Sequence, residues 1–176
     1  NMLRNVLTAA LTTALVCSAA PLAAQVEPRL GLGVSFADDF DLGIGVRTEF
    51  NLKKWLEDDS FASRLIATGS FDYFFPDCED CRYFEVNANL LHPFQLTASR
   101  LEPYAGAGLN VARFSVPDIV LDDGLAGGGS DTEVGLNILG GFYFPFGKLN
   151  AFAEGRLELN GGEQFVLSFG VLFGPK

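Results

Sequence analysis

Residues 30–36 read Leu30-Gly31-Leu32-Gly33-Val34-Ser35-Phe36, and the alternation in this stretch decides the fold. Every second residue is large and apolar and every intervening one is small, the period of a β-strand whose two faces meet different surroundings. The next stretch repeats the pattern: Leu42, Ile44, Val46, Thr48 and Phe50 alternate with Asp41, Gly43, Gly45, Arg47 and Glu49. Six more runs follow, over 64–75, 83–90, 104–111, 133–144, 149–159 and 164–173. Breaks fall where the chain carries turn residues: Asp38-Asp39, Pro76 to Cys81, His92-Pro93, Pro145-Phe146-Gly147 and Asn160-Gly161-Gly162. Two connections are longer, a polar one from Lys53 to Ser60 and an acidic, glycine-rich one from Ser115 to Asp131. Eight strands of roughly 9–13 residues match the ~9–11 that cross a bilayer when tilted.

Ahead of these strands lies a segment of another kind. Arg4 precedes an apolar run from Val6 to Val16, and Leu22-Ala23-Ala24 precedes Gln25. That is the pattern of a cleavable export signal, too short for a membrane-spanning helix. The reading assigns residues 1–24 to a signal peptide and 25–176 to one outer-membrane β-barrel domain. Cys17 is preceded by Leu15-Val16 rather than the small residues of a lipoprotein signal. The formal net charge of −10 disfavours nucleic acid, whose phosphates need clustered Lys and Arg.

Period two alone does not say which face is outside. The apolar set contains Thr48, Tyr73 and His92 as its only polar members and no Asp, Glu, Lys or Arg through its centre. The opposite set is Gly, Ser, Asn and Tyr with charges of both signs, unlike the Lys- and Glu-rich surface of a water-soluble barrel. Small polar side chains suit the narrow lumen of an eight-stranded barrel. The expected fold is therefore an all-β, antiparallel, up-and-down transmembrane barrel with a polar, side-chain-filled lumen and an apolar exterior. Aromatic residues gather near strand ends, with Phe50, Trp55, Phe94, Phe144 and Phe173 expected in the inner girdle. Phe36, Tyr73, Phe84, Phe114 and Phe165 are expected in the outer one.

Three stretches carry a resemblance: Pro103-Tyr104-Ala105-Gly106-Ala107-Gly108-Leu109-Asn110, Val134-Gly135-Leu136-Asn137-Ile138-Leu139-Gly140-Gly141 and Ala151-Phe152-Ala153-Glu154-Gly155-Arg156. They resemble the opacity-type and OmpA/OmpX-like small outer-membrane barrels. The resemblance implies insertion by the outer-membrane assembly machinery of a Gram-negative-type bacterium. One departure is the Gly174-Pro175-Lys176 that follows Phe173, where such proteins end on an aromatic residue.

Chemistry-bearing residues are few. Cys78 and Cys81 are expected to form a disulfide in an exported chain, since a redox pair wants a helix N-terminus and these have acidic neighbours in a loop. The lone histidine, His92, falls at the periplasmic end, and interfacial packing is its expected role. The inward charges Arg47, Glu49, Arg64, Asp72, Glu85, Glu133, Glu154, Arg156 and Glu158 are expected to form a lumen network, because buried charges must be paired. Asp118, Asp122, Asp123 and Asp131 match no calcium-loop spacing. Arg82 and Arg113 fall at the outer rim, where lipopolysaccharide phosphates are possible partners. No catalytic residue, metal or cofactor is assigned. The expected function is non-enzymatic: a monomeric, membrane-structural barrel that presents the Ser115–Asp131 loop for surface interaction or adhesion. A narrow pore or lateral route for small solutes is the alternative, and a lipid-modifying enzyme the third reading.

Overall fold

The computed structural model describes residues 28–38, 41–54, 61–78, 80–97, 99–120, 126–160 and 163–174. Residues 1–24, expected above to be a signal peptide, and Trp55 lie outside the described residues, as do the side chains of Asp41, Asp118, Asp122 and Asp123. Eight strands follow in chain order: β1 (Arg29–Ala37), β2 (Asp41–Asn51), β3 (Ile66–Phe74), β4 (Arg82–Pro93), β5 (Glu102–Val120), β6 (Ala126–Phe146), β7 (Leu149–Leu159) and β8 (Phe165–Phe173). Each pairs antiparallel with its neighbour, and β8 returns to β1 through pairs from Leu30↔Phe173 to Ala37↔Val166, closing the barrel. Closure satisfies every strand edge within the wall, the condition for spanning hydrocarbon with β-structure.

The faces fall as the alternation requires. Leu32, Val46, Leu109, Leu136, Ile138 and Leu157 are about half exposed, on the outside of the barrel. Glu85, Asn87, Asn110, Asn137 and Glu158 are almost fully buried, inside it. In a soluble protein this distribution would be inverted; around a closed barrel it is a lipid-facing belt over a polar lumen. Phe114 departs from the expected girdle. It is in phase with Tyr104, Asn110 and Ala112, and it packs inward against the upper end of the lumen.

Glycines in the inward phase set how closely the wall can approach lumen side chains. A Cβ at Gly45 would stand 2.2 Å from Asp72 Oδ1, so glycine there leaves room for that carboxylate. At the other end Gly147, with φ of +62°, occupies the two-residue turn between the paired Phe146 and Leu149.

The largest difference from expectation is the segment from Ser115 to Asp131. It is not a loop over most of its length: β5 and β6 stay paired through Ser115↔Ser130, Val116↔Gly129 and, after a register shift, Ile119↔Gly127 and Val120↔Ala126. The uppermost pair between β4 and β5 is Arg82↔Ser115, and that between β6 and β7 is Leu136↔Leu159. Among the described residues, 116–120 of β5 and 126–135 of β6 therefore have no strand on their outer sides. The pair forms a two-stranded ribbon rising above the barrel, at the end opposite β1's start and β8's finish.

Candidate functional site

Inside the barrel the side chains form three layers. Nearest the termini, Ile66, Leu91, Tyr104, Leu139, Tyr143, Phe152 and Leu172 make an apolar layer. At the ribbon end, Ala37, Phe74, Tyr83, Ala112 and Val166 make another. Charged and amide side chains fill the space between.

The polar layer has two centres, each built on an arginine. In the lower one, Arg47 Nη1 donates to Glu154 Oε2 at 2.8 Å, and Arg47 Nε lies 2.9 Å from Glu49 Oε1. Tyr143 and Tyr104 donate their hydroxyls to Glu49 and Glu154, each at 2.9 Å. The Arg47 guanidinium also lies 4.7 Å from the centre of the Phe152 ring, within cation–π range. Arg29 pairs with Glu49 from below.

In the upper centre, Arg156 reaches Glu85 Oε2 through Nη2 and Glu158 Oε1 through Nε, both at 2.7 Å, with Asp72 Oδ2 at 3.9 Å. The Gln164 amide nitrogen lies within hydrogen-bonding reach of the Tyr83 hydroxyl and of both those glutamates, which share its two N–H donors, and Asn110 donates to Glu158 at 3.1 Å. Asp72 accepts from Ser70, Ser35 and Asn87. Asn137 bridges Asn87 and Asn89, 2.9 Å from each. Three guanidiniums thus meet five carboxylates, and the excess sits entirely around Arg156. Between the two centres lies a cavity of about 20 Å³, bordered by Ser35, Ser70, Ser168, Asp72, Glu154 and Arg156. That is room for roughly one water.

Seven of the nine residues expected in the network are in it. Arg64 is not, because β3 starts at Ile66 and Arg64 ends a short 3-10 turn, exposed. Glu133 is not, because its strand has already risen past the last β7 partner, which leaves it exposed above the rim. Arg29, Gln164, Tyr83, Tyr104 and Tyr143 are members that the sequence reading did not assign. Their phase was the available signal, since Arg29 is in step with Gly31 and Ser35, and Gln164 with Val166 and Ser168.

Outside the lumen, Cys78 and Cys81 are joined in a disulfide within the connection between β3 and β4. His92 is held by its ring neighbours, with centroids 4.8 Å from Phe61 and 4.9 Å from Phe94. Among the described residues no group of three or more His, Cys, Asp or Glu side chains is placed to hold a metal ion. Arg82 and Arg113 are both exposed, on the outward face near the base of the ribbon.

No protein-family model matches the chain, and no curated protein does. Solved structures do. The N-terminal β-barrel domain of Pseudomonas aeruginosa OprF superposes with a TM-score of 0.60 at 15% identity, covering 86% of this chain and 98% of that one. Neisserial surface protein A (NspA) gives 0.57 at 18%, covering 84% and 96%. Ail, the attachment invasion locus protein of Yersinia pestis, gives 0.53 at 13%, covering 84% and 95%. The fold is that of the small outer-membrane barrels. Identity at this level carries the architecture and not the activity, but an outer-membrane barrel accounts for the apolar exterior around a polar interior. The likeness is one of fold, and an apolar exterior closed around a polar interior is the distribution a membrane-spanning barrel requires.

Proposed function

We propose that this outer-membrane barrel is a non-enzymatic, membrane-structural protein that holds the β5–β6 ribbon outside the cell as an interaction surface. The observation that carries this reading is the stack of layers in the lumen. A polar layer joined by ion pairs is capped by apolar side chains both above and below, which supports a plug rather than a path. The ribbon supplies the external element. Its outer edges, 116–120 and 126–135, present backbone N–H and C=O groups to any extended segment that can pair with them. His92, engaged with two phenylalanine rings at the opposite end, is poorly placed for a lipid-modifying reaction at the outer rim. The protein is read as a monomer that the outer-membrane assembly machinery inserts.

Planar-bilayer recording of the purified wild-type protein tests the reading against its rival, a narrow pore. The expected trace shows no steady conductance. Stable, cation-selective channels would establish the transport reading instead, consistent with the surplus of carboxylates around Arg156.

A further inference from the structure

At the base of the ribbon, period two sorts charge by face. Arg82, Arg113, Ser115, Ser130 and Thr132 are all in the outward phase, continuing upward from Phe84, Val86, Val111 and Val134 of the lipid-facing belt. The acids Asp131 and Glu133 are in the other phase, turned over the mouth of the barrel. Arg113 is opposite Phe84 and Arg82 opposite Ser115, so the two arginines are diagonal neighbours on one face, roughly 7–8 Å apart.

Their surroundings differ from those of every lumen arginine. Arg29, Arg47 and Arg156 each meet a carboxylate. Arg113 instead meets two hydroxyls, Ser130 Oγ at 2.9 Å and Thr132 Oγ1 at 3.3 Å. Among the described residues no carboxylate pairs with Arg113 or with Arg82. These contacts draw the Arg113 guanidinium towards the β6 side of the face and leave the remaining donors of both arginines to solvent. An arginine is a fork of donors suited to phosphate and carboxylate oxygens. Here two such forks stand where the hydrocarbon belt gives way to headgroups.

The geometry points to a binding site for a phosphorylated lipid headgroup of the outer leaflet, made by Arg82 and Arg113, with Ser115, Ser130 and Thr132 as neutral hydrogen-bonding partners. The acyl chains of that lipid would lie down the belt over Phe84, Val86 and Val111. The site rests on the reading above that the ribbon end is the external one.

Native mass spectrometry of the full-length barrel, exchanged from detergent containing bisphosphorylated lipid A, tests it. The wild type is expected to retain lipid A and not its dephosphorylated form, with retention falling as salt is raised. The double variant Arg82→Gln/Arg113→Gln is expected to retain about tenfold less or lower still, as loss of one or two charge-assisted contacts implies. Arg64→Gln/Arg100→Gln, which removes exposed charge at the other rim, is expected to match the wild type. Equal retention of dephosphorylated lipid, or an unaffected Arg82/Arg113 variant, would overturn the site. Displacement of lipid A by inorganic phosphate at low concentration would mark a free-phosphate site and overturn the lipid assignment. Should the double variant fail to fold, the two lipid forms on wild-type protein decide the matter. Conductance from wild-type barrels together with phosphate-dependent retention would sink the sealed-barrel reading and leave this one standing.

Discussion

Arg156 is the residue on which the upper lumen turns, because Asp72, Glu85 and Glu158 all face it and, among the described residues, no second base pairs with them. Replacing one partner of a buried ion pair leaves the other charged without compensation, at a cost of about 3–5 kcal/mol. Arg156→Met is therefore expected to lower unfolding free energy in vesicles by about that much. Adding Glu85→Gln and Glu158→Gln to Arg156→Met should recover part of the loss; urea titration followed by tryptophan emission measures both. An unchanged midpoint in the single variant would mean that water already solvates these carboxylates. Most of this centre was legible from residue type and phase. Glu85, Arg156 and Glu158 meet in the lumen because each falls inside a strand whose alternation is unbroken. Arg64 and Glu133 were in the same phase and still misassigned, since phase gives a side-chain direction only while neighbouring strands are present to make an inside. Arg29 was passed over for the converse reason: it precedes the first obvious alternation, yet β1 already includes it.

At the scale of the strand, β6 is a depth ruler. Leu136 and Thr132 share its outward phase four residues apart, the first half exposed on the belt and the second above Val134 beside Arg113. Arginine on the lipid face costs about 2–4 kcal/mol near the midplane and about 0–1 near an interface. Leu136→Arg is expected to destabilise the folded barrel far more than Thr132→Arg, by equilibrium unfolding in bilayers. Similar losses from both would mean that the belt ends elsewhere than the ribbon base. The same strand shows where composition misleads. Gly127-Gly128-Gly129 and Asp131 read as loop because glycine and aspartate are poor strand formers in isolation. Pairing with β5 holds them extended all the same, through Ser115↔Ser130 and Val116↔Gly129. A single-sequence reading sees local preference and not the partner strand that overrides it.

The whole molecule divides into a closed wall and a ribbon that contributes nothing to the closure. Every pair that completes the barrel lies below Arg82↔Ser115 on one side and Leu136↔Leu159 on the other. The two apolar lumen layers and both arginine centres also lie below that level. Joining β5 to β6 by a short turn in place of residues 117–128 is therefore expected to leave the thermal unfolding midpoint of the barrel within a few degrees of wild type. That order of shift corresponds to about 1 kcal/mol in a domain of this size. Circular dichroism melts in detergent would measure it, and a fall of tens of degrees would show that the ribbon braces the wall. Global architecture was the most legible level of all. Strand number, order, closure and the sense of the two faces all follow from one alternation repeated eight times, because a bilayer permits β-structure few other solutions.

The independence of wall and ribbon also decides what a break in the ribbon would do. A protease grips its substrate as an extended strand, and residues 126–135 are presented in that form with one side open. A single cut there would part the ribbon into two arms, each still joined to its own barrel strand, while the wall stays shut.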